Sequence, residues 1–544
     1  MRMLLALLAA TTSLAFPAAA QEVDRVAINR IVDQGMNHSE VMETAAYLTD
    51  RIGGRMTNSP QMRDAERWTQ AKFREWGLSN VRAEPFAFGR GWSINRASAR
   101  MTAPRTIELT AIPVAWTPGT NGAISAPIVV APIDERSDFD AWRGKLRGRI
   151  VLINLPGSGS EPSEQAFQRY TAEELAKLNA FPQPAYSPQQ IERRLKRDRT
   201  DFALKLDEFL KSEGALAWVR ISPRDGGLVH GTGYTYRIGR TPSLPGFELS
   251  AEDYRRVARL AKPVLSDVEG TDAAPTLELI SDVSFHDADP NAYNILAEIP
   301  GTGRTGEYVM AGAHLDSWVA GDGAADNAAG SAVVMEAARI LRVLGVRPKR
   351  TIRFALWSGE EQGLLGSLAY VDRHLASRPP ESDPERARSN PNQTWRNRFP
   401  ITPGPEHRDL VAYFNIDNGS GKFRGIHAEG NVAVMPIFQE WLAPFAGMGA
   451  TNVAASTTGG TDHVFMQSVG IPGYQFIQDP LDYGSRIHHT NLDTYDHLKA
   501  EDLRQAAVIM ASFLLNAANG KDPLPRPPVP AKPRPTDPFE YPKD

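Results

Sequence analysis

Four short runs in the second half of this chain limit its fold more than any other feature: "YVMAGAH", "RTIRFALWSG", "LVAYFNID" and "GYQFIQD". Several lack polar alternation, as expected of strands buried on both faces. Helical segments fall between them, among them "AGSAVVMEAARILRVLG" and "DLRQAAVIMASFLLNAANG". Such alternation predicts an α/β domain whose sheet is mixed but mostly parallel and flanked by helices. The pattern starts at "AYNILAEIPG", and residues 289–520 are expected to hold this domain.

At 544 residues the chain is too long for one ordinary domain. Over residues 94–288 the texture is different. Short β-rich runs such as "APIVVAPI", "GRIVLINLP" and "GALAWVRIS" are separated by Gly/Pro turns, which predicts an inserted β-rich domain. Within it, "SPQQIERRLKRDRTDFALKLDEFLKSEG" reads as a charged helical piece with a solvated face. Residues 21–93 contain two amphipathic helical patterns, "DRVAINRIVDQGMNHSEVMETAAYLTDRIGGR" and "SPQMRDAERWTQAKFREWGL". A long Pro- and charge-rich loop, "SRPPESDPERARSNPNQTWRNRFPITPGPEH", interrupts the α/β pattern, and residues 521–544 form a Pro-rich tail.

The first residues, "MRMLLALLAATTSLAFPAAAQEV", read as a secretory leader. Arg2 supplies the positive start, Leu4 to Phe16 the apolar stretch, and Ala18-Ala19-Ala20 a small-residue cleavage site, so residues 1–20 are expected to be removed. The run is too short for a transmembrane anchor. The expected location is the periplasm or the exterior, with no membrane anchor after cleavage. The chain has no cysteine, so disulfides and thiolate zinc sites are excluded, and any metal must be held by His, Asp and Glu. A formal charge of −4 with scattered basic residues leaves no footprint for nucleic acid.

In open α/β sheets, ligands sit beyond the carboxyl ends of the strands. Several strand ends here carry ligand-type residues: His314 and Asp316 after "YVMAGA", Glu360 and Glu361 after "RFALWSG", Asp417 at the end of "LVAYFNI", and His489 in "RIHHTNLDT". Each has an ordinary alternative. A Glu-Glu pair is usually a solvated surface pair, Asp326-Asn327 a helix N-cap, Asp316 a turn residue, and His488-His489 surface residues. The recurrence of such residues at independent strand ends favours a metal centre. Two zinc ions about 3.5–4 Å apart need anionic ligands to offset their repulsion. Asp326, Glu361 and Asp417 would supply three negative charges, with Asp326 bridging both ions, and His314 and His489 would each give one neutral nitrogen.

Asp316, two residues beyond His314 on one face of an extended segment, is expected to hydrogen-bond the His314 imidazole. The Gly/Ala loop between Asp316 and Asp326 lets the backbone return to the metals. Glu360 and Glu361 project to different sides, Glu361 as ligand and Glu360 as general base and acid toward a water whose pKa a metal lowers to about 7. His488 is expected to point away from the metal that His489 binds, as neighbours on an extended segment do, and either to donate to a developing oxyanion or to lie at the surface. Tyr474, Phe476 and Tyr483 would line an apolar pocket or pack in the core.

The motifs "GAHLDS", "GAADNAAG", "WSGEEQGLLGS", "NID" and "HHTNLDT" together resemble, in order, those of the co-catalytic zinc exopeptidases, which include bacterial zinc aminopeptidases, glutamate carboxypeptidase II and plasma glutamate carboxypeptidase. "RPKRTIRFALWSGEEQG", "GGTDHVFMQSVGIPG" and the doubled "HHT" look closest to the plasma glutamate carboxypeptidase branch. The resemblance covers about residues 290–520, and "WRGKLRGRIVLINLP" is similar, more weakly, to a protease-associated domain. It implies the zinc exopeptidase fold and the same ligand set: His314, Asp326, Glu361, Asp417 and His489, with Glu360 catalytic. Glutamate carboxypeptidase II places substrate-binding arginines shortly after the motif matching "GIPG"; "GIPGYQFIQD" has none, and Arg486 would substitute for them or lie at the surface.

The expected activity is therefore hydrolysis of the N-terminal bond of short peptides or dipeptides at two zinc ions, with manganese or cobalt also suited to the ligands. A homodimer is compatible with this reading. The alternatives are a carboxypeptidase of the glutamate carboxypeptidase type, a glutaminyl cyclase with one zinc, and a binding protein without catalysis.

Overall fold

The computed structural model describes residues 23–159, 165–180, 199–233, 241–261, 275–303, 306–382 and 394–532. The expected leader, the first part of the charged helical piece, the centre of the Pro-rich loop and the end of the tail lie outside the described residues.

An eight-stranded sheet organises the region that holds the ligand-type residues. Its strands are β1 (Ser79–Ala87), β2 (Asn291–Ile299), β3 (Tyr308–His314), β4 (Thr351–Trp357), β5 (Leu410–Asn415), β6 (Phe423–His427), β7 (Asn452–Ala454) and β8 (Gly473–Gln478). Their spatial order is β1-β2-β4-β3-β5-β8-β6-β7. The central four, β4, β3, β5 and β8, run parallel, while β2 is antiparallel to β4 and β6 to β8. Both faces are covered, which explains the unbroken apolar runs. Val309, Ala311 and Ala313 of β3 pack in one core with Phe354 and Leu356 of β4, whereas Tyr308 and Met310 join Ala355 and Trp357 in another on the opposite face.

The first face is covered by α4 (Ala329–Val343) and α5 (Ala500–Asn519), with α1 (Arg25–Asn37) and α2 (Val41–Ala46) packed outside them. The first amphipathic pattern thus breaks into two helices, and Asp24 caps α1 by accepting from the Ala27 N–H at 3.0 Å. A third helix, α3 (Pro60–Glu75), starts where Ser59 caps it ahead of Pro60. The stretch expected to be helical also contributes strand β1. This strand pairs only with β2, at the sheet edge, where Pro85 leaves no central ladder position without a donor.

Directly after β1 the chain leaves on a long strand, Gly91–Ala103, and it returns on Thr276–His286 just before β2. This antiparallel pair belongs to a second mixed sheet of eight strands, which includes Ile124–Val130, Ile150–Leu152 and Ala217–Ile221. Helices Arg199–Ser212 and Ala251–Leu260 accompany it. In the first of these helices Leu206, Phe209 and Leu210 face a core, Lys205, Glu208 and Lys211 face out, and the buried Asp207 accepts from the Ser243 and Leu244 N–H groups. Among the described residues no helix is long and apolar enough to cross a membrane.

Candidate metal centre

Strand β3 delivers His314, and the parallel register places it opposite Trp357 at the end of β4. Glu360 and Glu361 follow β4, and Asp417 follows β5. The chain beyond His314 folds back through Gly321 and Gly323 to bring Asp326 ahead of α4. At Gly323 (φ 61) a Cβ would lie 2.3 Å from the Ser317 Cβ, and at Gly321 one would lie 2.7 Å from the Thr490 carbonyl oxygen. The Gly-rich loop is therefore required by close approach. His489 arrives from the segment after β8, on a left-handed backbone (φ 64).

These residues converge. The His314 Nε2 lies 3.2 Å from Asp326 Oδ1 and 3.3 Å from Asp417 Oδ1. On the other side, His489 Nε2 lies 3.2 Å from Asp326 Oδ2 and 2.9 Å from Glu361 Oε2. The two oxygens of Asp326 thus serve two different histidines. Glu360 gathers with His314 and Asp417, their ligand atoms all within 4.8 Å of one another, and so do His314, Asp326 and Glu361. The two neighbouring glutamates accordingly stand on different sides of the group.

Two expectations are corrected. The Asp316 carboxylate does not take the His314 hydrogen bond; its Oδ1 is 3.7 Å from Nδ1, and the Asp316 main-chain carbonyl accepts from Nδ1 at 2.9 Å instead. Because a carbonyl only accepts, Nδ1 carries the proton of this contact, and Nε2 is the nitrogen turned toward the carboxylates of Asp326 and Asp417. The freed Asp316 carboxylate accepts from Thr57 Oγ1 at 3.0 Å and from the N–H groups of Glu360 and Glu361 at 3.2 and 3.3 Å. It holds the turn that presents both glutamates. His488 also does not point away from His489. The left-handed conformation at His489 stacks the two rings at 3.7 Å, and His488 Nε2 reaches to 3.7 Å from Asp326 Oδ2. Tyr483 sits against His488 with ring centroids 4.9 Å apart. Tyr474 and Phe476, in contrast, are core residues around Phe414.

Several contributors escaped the sequence reading. Asp493, from the quoted "HHTNLDT", accepts from the N–H groups of Ala325 and Asp326 at 2.6 and 3.1 Å. Arg55, from the segment between α2 and α3, is wholly buried and donates to main-chain carbonyls on both sides of the Gly-rich loop. Asp462, in the quoted "GGTDHVF", is buried close enough to raise the pKa of Glu360. Asp493 and Asp462 were within reach as acids inside motif-like stretches. Thr57 and Arg55 carry no comparable signal.

The electrostatics of this group show what it lacks. Burial pushes the Glu361 carboxyl up to about 7, and burial with the charges of Asp417 and Asp462 drives Glu360 well above the usual range. Burial likewise lifts Asp493 and Asp462 to about 7. Asp326 is held well below the usual range because its contacts with His314 and His489 outweigh burial. So many acids in one buried place carry a charge that divalent cations would balance. Glu361 Oε1 is buried without a hydrogen bond, as an oxygen meant for an ion would be. The donors, imidazole and carboxylate without thiolate, suit zinc and related divalent ions. A small cleft lined by Trp318, Asp326, Glu361, His489 and Asp493 opens onto the group.

Comparison with known proteins agrees with this geometry. Residues 294–514 match the model of peptidase family M28. Carboxypeptidase Q from Bos taurus is 26% identical over 496 residues, which covers 90% of this chain and 88% of the relative. The human protein of the same name is 25% identical over 513 residues, covering 93% and 90%. Among solved structures, a peptidase M28 precursor from Shewanella amazonensis superposes with a TM-score of 0.64 at 23% identity, covering 93% of this chain and 98% of that one. A zinc aminopeptidase from Bacillus subtilis gives 0.55 at 17% identity, covering 89% and 95%. These structural likenesses establish the shared fold.

Proposed function

We propose that residues 294–514, which match the model of peptidase family M28, form a metallo-exopeptidase domain, and that the chain is an exported enzyme that removes the N-terminal residue from short peptides or splits dipeptides. The observation that carries this reading is Asp326, whose two oxygens lie 3.2 Å from two different imidazoles. His314 and Asp417 would hold one zinc ion, His489 and Glu361 a second, and Asp326 both. Bound there, zinc acts as a Lewis acid and lowers the pKa of a water.

The chain's own residues supply the rest. Glu360, buried on the His314–Asp417 side, takes a proton from the attacking water and returns it to the departing amine. Its turn is fixed by the Asp316 carboxylate, so the acceptor oxygen is already in place when substrate arrives. His488, stacked on His489 and partly exposed, donates to the oxygen of the scissile carbonyl as negative charge grows on it. The walls around Asp326, Trp318 among them, are buried and limit water around the cleft.

A second reading is that the enzyme recognises a free C-terminus. The relatives named carboxypeptidase Q favour it, and so does Arg224, which reaches from the second sheet to donate to the His488 carbonyl at 3.2 Å and brings a cation to the rim of the site. A panel of free, N-acetylated and C-amidated dipeptides and tripeptides separates the two. We expect turnover to fall sharply on N-acetylation and to survive C-amidation. Loss on amidation with tolerance of acetylation would instead establish the carboxypeptidase reading.

A further inference from the structure

We propose that Arg55 is a positioning residue for the metal cage: with the Asp493 carboxylate opposite, its guanidinium holds the 315–326 loop in ligand-presenting shape before any cation binds. This inference rests on the dinuclear reading above.

The loop joins His314 to Asp326 and contains glycines at 321 and 323, so ordering it costs backbone entropy at every residue. It also has to bring acids together, since Asp326 must approach Glu361, Asp417 and Asp316. Left alone, entropy and like charge would both open it. Arg55 opposes both tendencies. Its Nε donates to the Leu315 carbonyl at 2.8 Å, one residue past His314. At the far end, Nη1 donates to the Asp322 carbonyl at 2.8 Å and Nη2 to the Gly323 carbonyl at 2.7 Å, three residues before Asp326. Further bonds to Leu48 and Gly53 at 3.0 Å tie the guanidinium to the N-terminal segment, and the main chain of Arg55 exchanges hydrogen bonds with Ser317.

Two features separate this from an ordinary buried arginine. Every partner its side chain takes among the described residues is a main-chain carbonyl, so no salt bridge consumes its charge. Fully buried, that charge sits behind Asp316, Asp322, Asp326 and Asp493, all close enough to act on it. Asp493 completes the clamp with opposite polarity. Its carboxylate takes the N–H groups of Ala325 and Asp326, and its carbonyl takes the Asp322 N–H at 2.8 Å. The cation thus holds carbonyls at one part of the loop while the anion holds N–H groups at the next.

The test is zinc affinity by chelator competition, with thermal unfolding of the same samples, for wild type, Arg55→Lys, Arg55→Met and Asp493→Asn. Groups that orient metal ligands typically change affinity 10–100-fold when replaced, so Arg55→Met is expected to weaken zinc by roughly that factor while still unfolding cooperatively. Arg55→Lys, which keeps the charge and part of the hydrogen bonding, should fall between. Wild-type zinc affinity in Arg55→Met, whatever its thermal midpoint, overturns the proposal. If Arg55→Met does not fold, Asp493→Asn decides, and unchanged affinity there overturns it as well. Failure of wild type itself to bind zinc would instead remove the dinuclear reading on which the inference rests.

Discussion

Asp326 meets two geometric demands at once, one oxygen toward His314 and the other toward His489, and the proposed chemistry is arranged around it. Glu360 stands beside this bridge, grouped with His314 and Asp417. Glu360→Gln should therefore keep its bound metal and lose a factor of roughly 10² or more in kcat, the usual contribution of a general acid–base group. Near-normal kcat with full metal would remove that role from Glu360. His488→Ala should retain metal and lower kcat with little change in KM, and unchanged kinetics would leave His488 without a function at the site. That His314, Glu360, Glu361 and Asp417 would come together could be read from the sequence because each stands at or just beyond the end of a strand. Asp316 and His488 were misjudged for a different reason: a main-chain carbonyl replaced a carboxylate in one case, and a left-handed residue replaced an extended one in the other. Backbone conformation of that kind leaves little trace in residue type.

At the scale of elements, the four parallel strands were readable because burial on both faces removes polar alternation, as Val309, Ala311 and Ala313 on one side of β3 and Tyr308 and Met310 on the other show. Strand β1 was not. It lies at an edge, its pattern is irregular, and Pro85 is a poor strand signal except there. What fastens this edge is a polar cluster beneath the sheet. His374 lies 3.0 Å from Glu84 of β1 and 2.8 Å from Glu406, which also accepts from Arg353 of β4 at 3.1 Å. Burial would lower the His374 pKa, but Glu406 and Glu84 outweigh it and push it up to about 9 from an ordinary 6.5. A raised folded-state value means the contribution is complete below about 6.5 and fades as pH rises through about 9. The thermal midpoint of the metal-loaded protein should fall over that interval. His374→Ala should flatten this slope and cost about 1.5–3 kcal/mol at neutral pH, the range for hydrogen bonds to charged groups. An unchanged slope in the variant would assign the alkaline loss to other groups.

On the scale of the whole molecule, the second sheet is fastened to the first close to the histidine loop. The Asn491 N–H donates to the Val229 carbonyl and the Asn491 side chain accepts from the Val229 N–H, both at 3.0 Å. Arg169 adds ion pairs to Asp479 and Asp502 at 3.0 and 2.7 Å. None of these contacts could be foreseen, because they join segments hundreds of residues apart whose types are ordinary for loops. The β-rich texture of the insert was evident, whereas its reach toward the site was not. A dinuclear centre bridged by Asp326 underlies the proposed function, and zinc counted per chain tests it most directly. Elemental analysis should be run on zinc-saturated, exhaustively dialysed wild type and on Asp326→Ala. The structure predicts two zinc ions per wild-type chain and fewer than two in the variant, because without the bridge the cations repel across a gap in the charge set. One zinc or none in wild type, or two tightly held in Asp326→Ala, would contradict it.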